Sequence, residues 1–165
     1  MSQTSPGPAP REVDRMLAMG QPKWSEVIGK SQTVLWPEHA QHVWLALNRR
    51  VYASRTQLPG AVFSRESAMQ VSRRMAGVAA VAGSDASPDF RHFVPRDSLP
   101  VPSRADLDAA CAQPGLDFVV LSVELGPLAA PPFRDVETGK DHFLHRCADL
   151  GSEVKSLPDP GRKAS

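Results

Sequence analysis

The chain is poor in the features that mark secreted, membrane and disulfide-rich proteins. Its 165 residues include only two cysteines, Cys111 and Cys147, which is too few for a disulfide scaffold. The longest apolar runs, around 76–82 and 118–121, are far shorter than the roughly 20 residues that span a bilayer. The N-terminus shows no basic segment followed by an apolar one, so no signal peptide is predicted. We therefore expect a cytoplasmic protein with both thiols free and no membrane partner.

A dominant charge is also missing. The formal net charge is +1 at pH 7, which excludes a strongly basic or strongly acidic protein. The charge is nevertheless uneven, because residues 1–83 carry ten Lys/Arg and five Asp/Glu, whereas residues 84–165 carry nine and thirteen. This asymmetry indicates that the two halves face different partners, unless folding mixes them on one surface.

Isoleucine, asparagine and tyrosine occur once each, whereas alanine occurs 20 times, proline 16 times and arginine 14 times. Residues with GC-rich codons are thus abundant, which is typical of a GC-rich bacterial gene. The prolines exclude long coiled coils, since each one interrupts a helix. With 41% hydrophobic and 22% charged residues, the composition is that of one globular domain.

The hydrophobic pattern places that single domain at 11–152, with a helical half at 11–83 and a mixed half at 90–152. Residues 1–10 and 153–165 are rich in proline and polar residues, and both are predicted to be flexible tails. The connecting segment, 84–102, is rich in Pro, Ser and Asp. A segment of that length with little regular structure indicates a hinge or a functional loop.

The helical half is predicted to contain a short helix at 11–19 and a hairpin of two longer helices. Apolar residues recur at helical spacing after Pro37, which predicts a helix over 37–54. Ser64 is a typical N-cap residue, and the apolar stripe after it predicts a helix ending near Gly83. About ten residues join the two helices of this hairpin.

The mixed half is predicted to contain strands at 90–94, 117–125 and 133–136. The middle strand is almost continuously apolar, which is typical of a central strand buried on both faces. Helices are predicted at 103–112, and at 140–150 in preference to a strand. The predicted fold class is therefore α+β: an N-terminal helical hairpin packed on a small mixed sheet of about three strands, with two further helices.

Six arginines in the helical half form the candidate partner-binding surface, and Glu66 is the only acidic residue between 49 and 74. The planar guanidinium group suits phosphate and carboxylate groups. The leading prediction is a small non-catalytic bacterial binding or regulatory protein, such as an inhibitor, that contacts a protein partner through this surface. The alternatives are a nucleic-acid-binding accessory protein using the same surface, and a solvated helix face with internal ion pairs. The six residues are Arg49, Arg50, Arg55, Arg65, Arg73 and Arg74.

No phosphate-binding loop, nucleophile elbow or CxxC pair occurs in the sequence, so no cofactor, no metal and no catalytic activity are expected. A weaker alternative is a small hydrolase or transferase using His142, His145 or Glu124, the last because strand ends often open onto clefts. On a helix, His142, His145 and Asp149 would share one face and could bind a metal. Two further groupings are His39 with His42 beside Glu38, and a Cys–His pair using Cys111 or Cys147.

Overall fold

The computed structural model describes residues 12–57, 64–86 and 98–153. The strand predicted at 90–94 and both predicted tails lie outside these residues, apart from Glu153. The described residues form a mixed α and β structure, which confirms the α+β class.

The sheet has five strands among the described residues rather than about three, in the order β2-β1-β3-β5-β4. The three strands β2, β1 and β3 are parallel, whereas β5 runs antiparallel to both β3 and β4. The central position of β3, whose four residues are all buried, was predicted from its apolar run. The strands are β1 Thr33–Leu35, β2 Arg50–Val51, β3 Phe118–Leu121, β4 Phe133–Arg134 and β5 Asp141–Arg146.

Local capping signals locate the starts of two helices. The Ser64 side chain accepts a hydrogen bond from the Ser67 amide at the start of α3. Ser103 and Asp106 form a reciprocal capping box at the start of α4, so both predicted starts are confirmed. The α-helices are α1 Glu12–Met19, α2 Ala40–Leu45, α3 Arg65–Ala82, α4 Arg104–Cys111 and α5 Cys147–Glu153; short 3-10 turns occupy Arg55–Gln57 and Gly83–Ala86.

The helix predicted over 37–54 is wrong in extent, and the helical hairpin is therefore wrong as well. The helix α2 has only six residues, and Asn48 then adopts a left-handed backbone with φ 51°. The chain continues into β2, where Arg50 and Val51 pair with β1. Leu47 and Val51 are both buried, as their helical spacing after Pro37 predicts. Val51, however, is buried in strand β2 of the sheet and not on a helix.

The helix predicted over 140–150 is also wrong, because this segment forms β5 followed by α5. Strand β5 lies between β3 and β4 and pairs with both. If residues 141–146 formed a helix, the backbone N–H and C=O groups on this side of β3 would be buried without hydrogen-bond partners. Burying unpaired backbone groups destabilises the fold. The strand alternative weighed for this segment is the one that the structure adopts.

Apolar side chains cover both faces of the sheet. Along the strands, Leu35, Val119 and Leu121 pack on one side with residues of α3 and α4. Val34 and Phe118 pack on the other side with residues of α2 and the segment before β1. This alternation follows the two-residue period of a strand. In the described part of the chain, no helix combines the length and apolar character that a membrane crossing requires.

The two cysteines are bonded to each other, so the prediction of free thiols is wrong. Cys111 ends α4 and Cys147 begins α5, and their Cα atoms lie 5.0 Å apart. The disulfide joins residues 36 positions apart and links α4 to the end of β5. It also removes both candidate Cys–His pairs, since a bonded sulfur is not a nucleophile.

Candidate functional site

A pocket opens where the parallel strands β1 and β3 end. Strand β1 is flanked by β2 and β3, and the two connections among these parallel strands cross opposite faces of the sheet. The first, from β1 to β2, contains α2, which packs with one core, and the second, from β2 to β3, contains α3 and α4, which pack with the other. Such a reversal creates a crevice beyond the carboxyl ends of the strands, which is where open α/β sheets bind their ligands. Residues directly after each strand line the pocket: Trp36, Pro37, Glu38 and His39 after β1, and Ser122 and Val123 after β3.

The remaining walls come from two other segments. Leu99, Val101 and Pro102, which precede α4, supply apolar surface, and Lys140 and His142 line the side next to β5. The cavity volume is about 160 Å³, well above the ~10–15 Å³ that a cavity needs in order to hold one water. A mainly apolar pocket with a few polar groups is typical of a small-molecule site.

Three imidazole rings surround the buried indole of Trp36. The ring centroids of His39, His42 and His142 lie 5.2, 5.1 and 5.2 Å from that of Trp36. His39 and His142 also contact each other, with centroids 5.4 Å apart. The three histidines come from the β1–α2 loop, from α2 and from β5, so only the folded chain brings them together.

The imidazoles of this histidine cluster are neutral at pH 7. Burial, together with the nearby His142 and His42, lowers the pKa of His39 from 6.5 to about 4. Burial likewise lowers the pKa of His42 and of His142, although Asp135 opposes the shift in both. A neutral imidazole has one ring nitrogen that donates and one that accepts, so it can bind a polar group or take up a proton.

Asp135 is the acidic residue that raises the pKa of all three histidines, and its own loop holds it in place. Its carboxylate accepts hydrogen bonds from the Thr138 hydroxyl at 2.6 Å and the Glu137 amide at 2.8 Å. Burial raises the pKa of Asp135, but these hydrogen bonds outweigh burial and lower it overall. Asp135 therefore keeps its charge while the histidines beside it stay neutral.

Two polar atoms of the cluster are buried without a partner among the described residues. They are Nε1 of Trp36 and Nε2 of His142, and both side chains line the pocket. A buried polar group that lacks a hydrogen bond destabilises the fold. Native proteins contain few such groups, and each one requires an explanation. His42 differs, because its Nε2 lies 2.9 Å from the carbonyl oxygen of Gly20.

Of the three weak catalytic candidates, only His142 lies at the pocket. His145 is fully buried, and its Nε2 accepts a hydrogen bond from the Leu125 amide, which is a structural role. Glu124 is exposed in the loop after β3 and does not line the pocket. The helix face on which His142, His145 and Asp149 could have bound a metal does not form, because residues three apart on a strand point to opposite faces.

The six arginines do not form one free surface. The Arg49 guanidinium donates to the backbone carbonyls of Ser25, Ile28 and Leu47. Arg74 lies over the ring of Tyr52 and donates to its carbonyl. Arg65 and Arg73 are exposed on α3, whereas Arg50 is exposed on the edge strand β2 and Arg55 is half-buried in a 3-10 turn.

The chain matches no protein family, no curated protein and no solved structure. Within the described ranges, no group of three or more His, Cys, Asp or Glu side chains is arranged to hold a metal ion. The polar groups of the pocket come from two neutral imidazoles, Lys140, Glu38, Ser122 and the Trp36 indole, and the remaining walls are apolar.

Proposed function

We propose that this protein binds a small organic molecule in the pocket and acts on it as a small hydrolase or transferase. The observation that carries the proposal is the position of His39 and His142 in a pocket at the carboxyl ends of two parallel strands with diverging connections. That place is where sheets of this kind hold substrates. The apolar walls would hold the body of the molecule, and the imidazoles its reacting polar group.

His142 is proposed as the group that exchanges a proton with the bound molecule. It lies on β5, which pairs on both sides, so its backbone is held more firmly than that of a loop residue. Its imidazole is neutral and its Nε2 has no partner among the described residues. A neutral imidazole can remove a proton from an attacking water or hydroxyl, as general-base catalysis requires.

Binding can be tested with a library of small fragments that includes matched acids, alcohols and amides. In a two-dimensional NMR titration, we expect saturable shifts of the amides of His39, Ser122 and Val123 and of the Trp36 indole. His142→Phe should weaken such binding about tenfold, because phenylalanine keeps the ring but has no nitrogen, and one hydrogen bond is lost. For fragments that contain an ester or amide bond, the same samples followed over time should show turnover that His142→Phe lowers by roughly 100-fold or more.

The matched control is Arg73→Gln on the exposed part of α3, which removes a charge away from the pocket. Arg73→Gln should leave fragment binding unchanged. If the arginines instead bind a macromolecule, the same substitution should weaken binding of a protein or nucleic acid. A library that produces no saturable shift at the pocket residues would overturn the proposal.

A further inference from the structure

Glu38 has an unusual backbone at the edge of the pocket. Its φ is 65°, in the left-handed region that non-glycine residues rarely occupy. It lies between Trp36 and His39, all three of which line the pocket. A residue keeps such a conformation only where its surroundings impose it, and such residues concentrate at functional sites. The position of His39, the next residue in the loop after β1, therefore depends on what holds the backbone of Glu38.

The side chain that holds it is Asp85, in the 3-10 turn after α3. Asp85 is 4% exposed, and its Oδ2 accepts a hydrogen bond from the backbone amide of Glu38 at 3.1 Å. Its Oδ1 accepts from the hydroxyl of Ser54 at 2.8 Å, and Ser54 is also buried. One carboxylate thus joins the turn after β1, the residues after β2 and the end of α3. The hydrogen bond to the Glu38 amide is the one that reaches the pocket directly.

We infer that Asp85 is a positioning residue of the pocket: by binding the Glu38 amide, it fixes the left-handed turn that sets the His39 imidazole against His142 and Trp36. This inference rests on the proposed function, because it concerns the same pocket. The competing explanation is that Asp85 only stabilises the fold. The two hydrogen bonds of its carboxylate allow these explanations to be tested separately. The bond to the Glu38 amide reaches a residue that lines the pocket, whereas the bond to Ser54 does not.

The readout is the titration of the His39 ring, followed by NMR without any ligand. In the folded protein, burial and the neighbouring His142, His42 and Lys140 lower the pKa of His39, and Asp135 raises it. Asp85→Ala should release the turn, so the pKa of His39 should rise from about 4 toward 6.5. Ser54→Ala removes the other hydrogen bond and should lower the urea midpoint while leaving the His39 titration unchanged.

Two further variants complete the test. Asp85→Asn keeps an oxygen that can accept from the Glu38 amide, so His39 should titrate nearly as in the parent protein. Glu38→Gly in the Asp85→Ala background should lower the pKa of His39 again, because glycine adopts a positive φ at no steric cost. If Asp85→Ala does not fold, Asp85→Ser takes its place: its shorter side chain does not reach the Glu38 amide, and the same rise in the pKa of His39 is expected.

An unchanged His39 titration in Asp85→Ala, or an equal change in Ser54→Ala, would overturn the inference. If Asp85→Ala does not fold, an unchanged His39 titration in Asp85→Ser would overturn it too. None of these results depends on a ligand, so they leave the proposed function standing. Conversely, a fragment library that does not bind would remove the proposed function without changing how Asp85 places His39.

Discussion

Loss of the Cys111–Cys147 disulfide is expected to lower the free energy of unfolding by about 4 kcal/mol. The bond closes a loop of 36 residues that contains β3, β4 and β5, so opening it increases the freedom of the unfolded chain. Equilibrium unfolding in urea, with and without dithiothreitol, measures this difference. Domains are typically stable by about 5–15 kcal/mol, so roughly a quarter to four fifths of the free energy of unfolding is then lost under reducing conditions.

The control is the double variant Cys111→Ser with Cys147→Ser. Without reductant it should unfold at about the midpoint of the reduced parent protein, and dithiothreitol should not change it further. Thiol titration of the purified parent protein in denaturant should detect no free thiol before reduction. Two reactive thiols in that titration, or equal urea midpoints in both conditions, would contradict the prediction.

The disulfide also changes the basis for the predicted location. The cytoplasm is predicted from the lack of a signal peptide, and free thiols follow from it because protein disulfides are rare there. The disulfide does not fit that expectation, and a cytoplasmic location stays a prediction. Trapping the thiols in intact cells with an alkylating reagent, before lysis, would report the redox state of Cys111 and Cys147 where the protein resides.

The parts of the fold that could be predicted are those set by neighbouring residues. The N-cap at Ser64 and the capping box at Ser103 act within one helical turn, so the sequence shows them directly. The continuous apolar run of β3 predicts burial on both faces without reference to a partner. These signals do not depend on distant parts of the chain, and each of them is confirmed.

The errors arose where pairing between distant strands overrides a helical pattern. Leu47 and Val51 have the spacing of a helix stripe, yet Val51 pairs with Val34 in the sheet. Leu144 lies in a segment that also has helical spacing, but it pairs with Val120. A helix and a strand can bury the same few apolar residues, and only the presence of an unpaired neighbouring strand decides between them.

The pocket could be predicted only in part. The strand-end argument identified the correct edge of the sheet, because the pocket does lie beyond β3. It selected Glu124, but β3 ends at Leu121, and the next two residues line the pocket instead. His39 and His142 are more than 100 residues apart in the sequence, and no spacing rule connects them. Their contact requires β5 to be a strand, which the sequence pattern did not favour.

Acidification is expected to destabilise the protein strongly between pH 6.5 and about 4. His39, His42, His142 and His145 all have a lowered pKa in the folded state, chiefly through burial. In this range the unfolded chain binds protons that the folded chain does not, so the free energy of unfolding falls as the pH falls. His39 alone, shifted from 6.5 to about 4, accounts for about 3 kcal/mol of this loss.

Urea midpoints measured from pH 7 down to pH 4.5 test this expectation. His39→Gln should make the midpoint depend less on pH above 4.5, because glutamine does not titrate. The pKa of Asp135 is lowered from 3.8, so the stability that its carboxylate contributes is lost only at a pH below that of the histidines. The two effects therefore occupy different pH ranges, and a midpoint that stays constant from pH 7 to 5 would show that the imidazoles around Trp36 are not held neutral by burial.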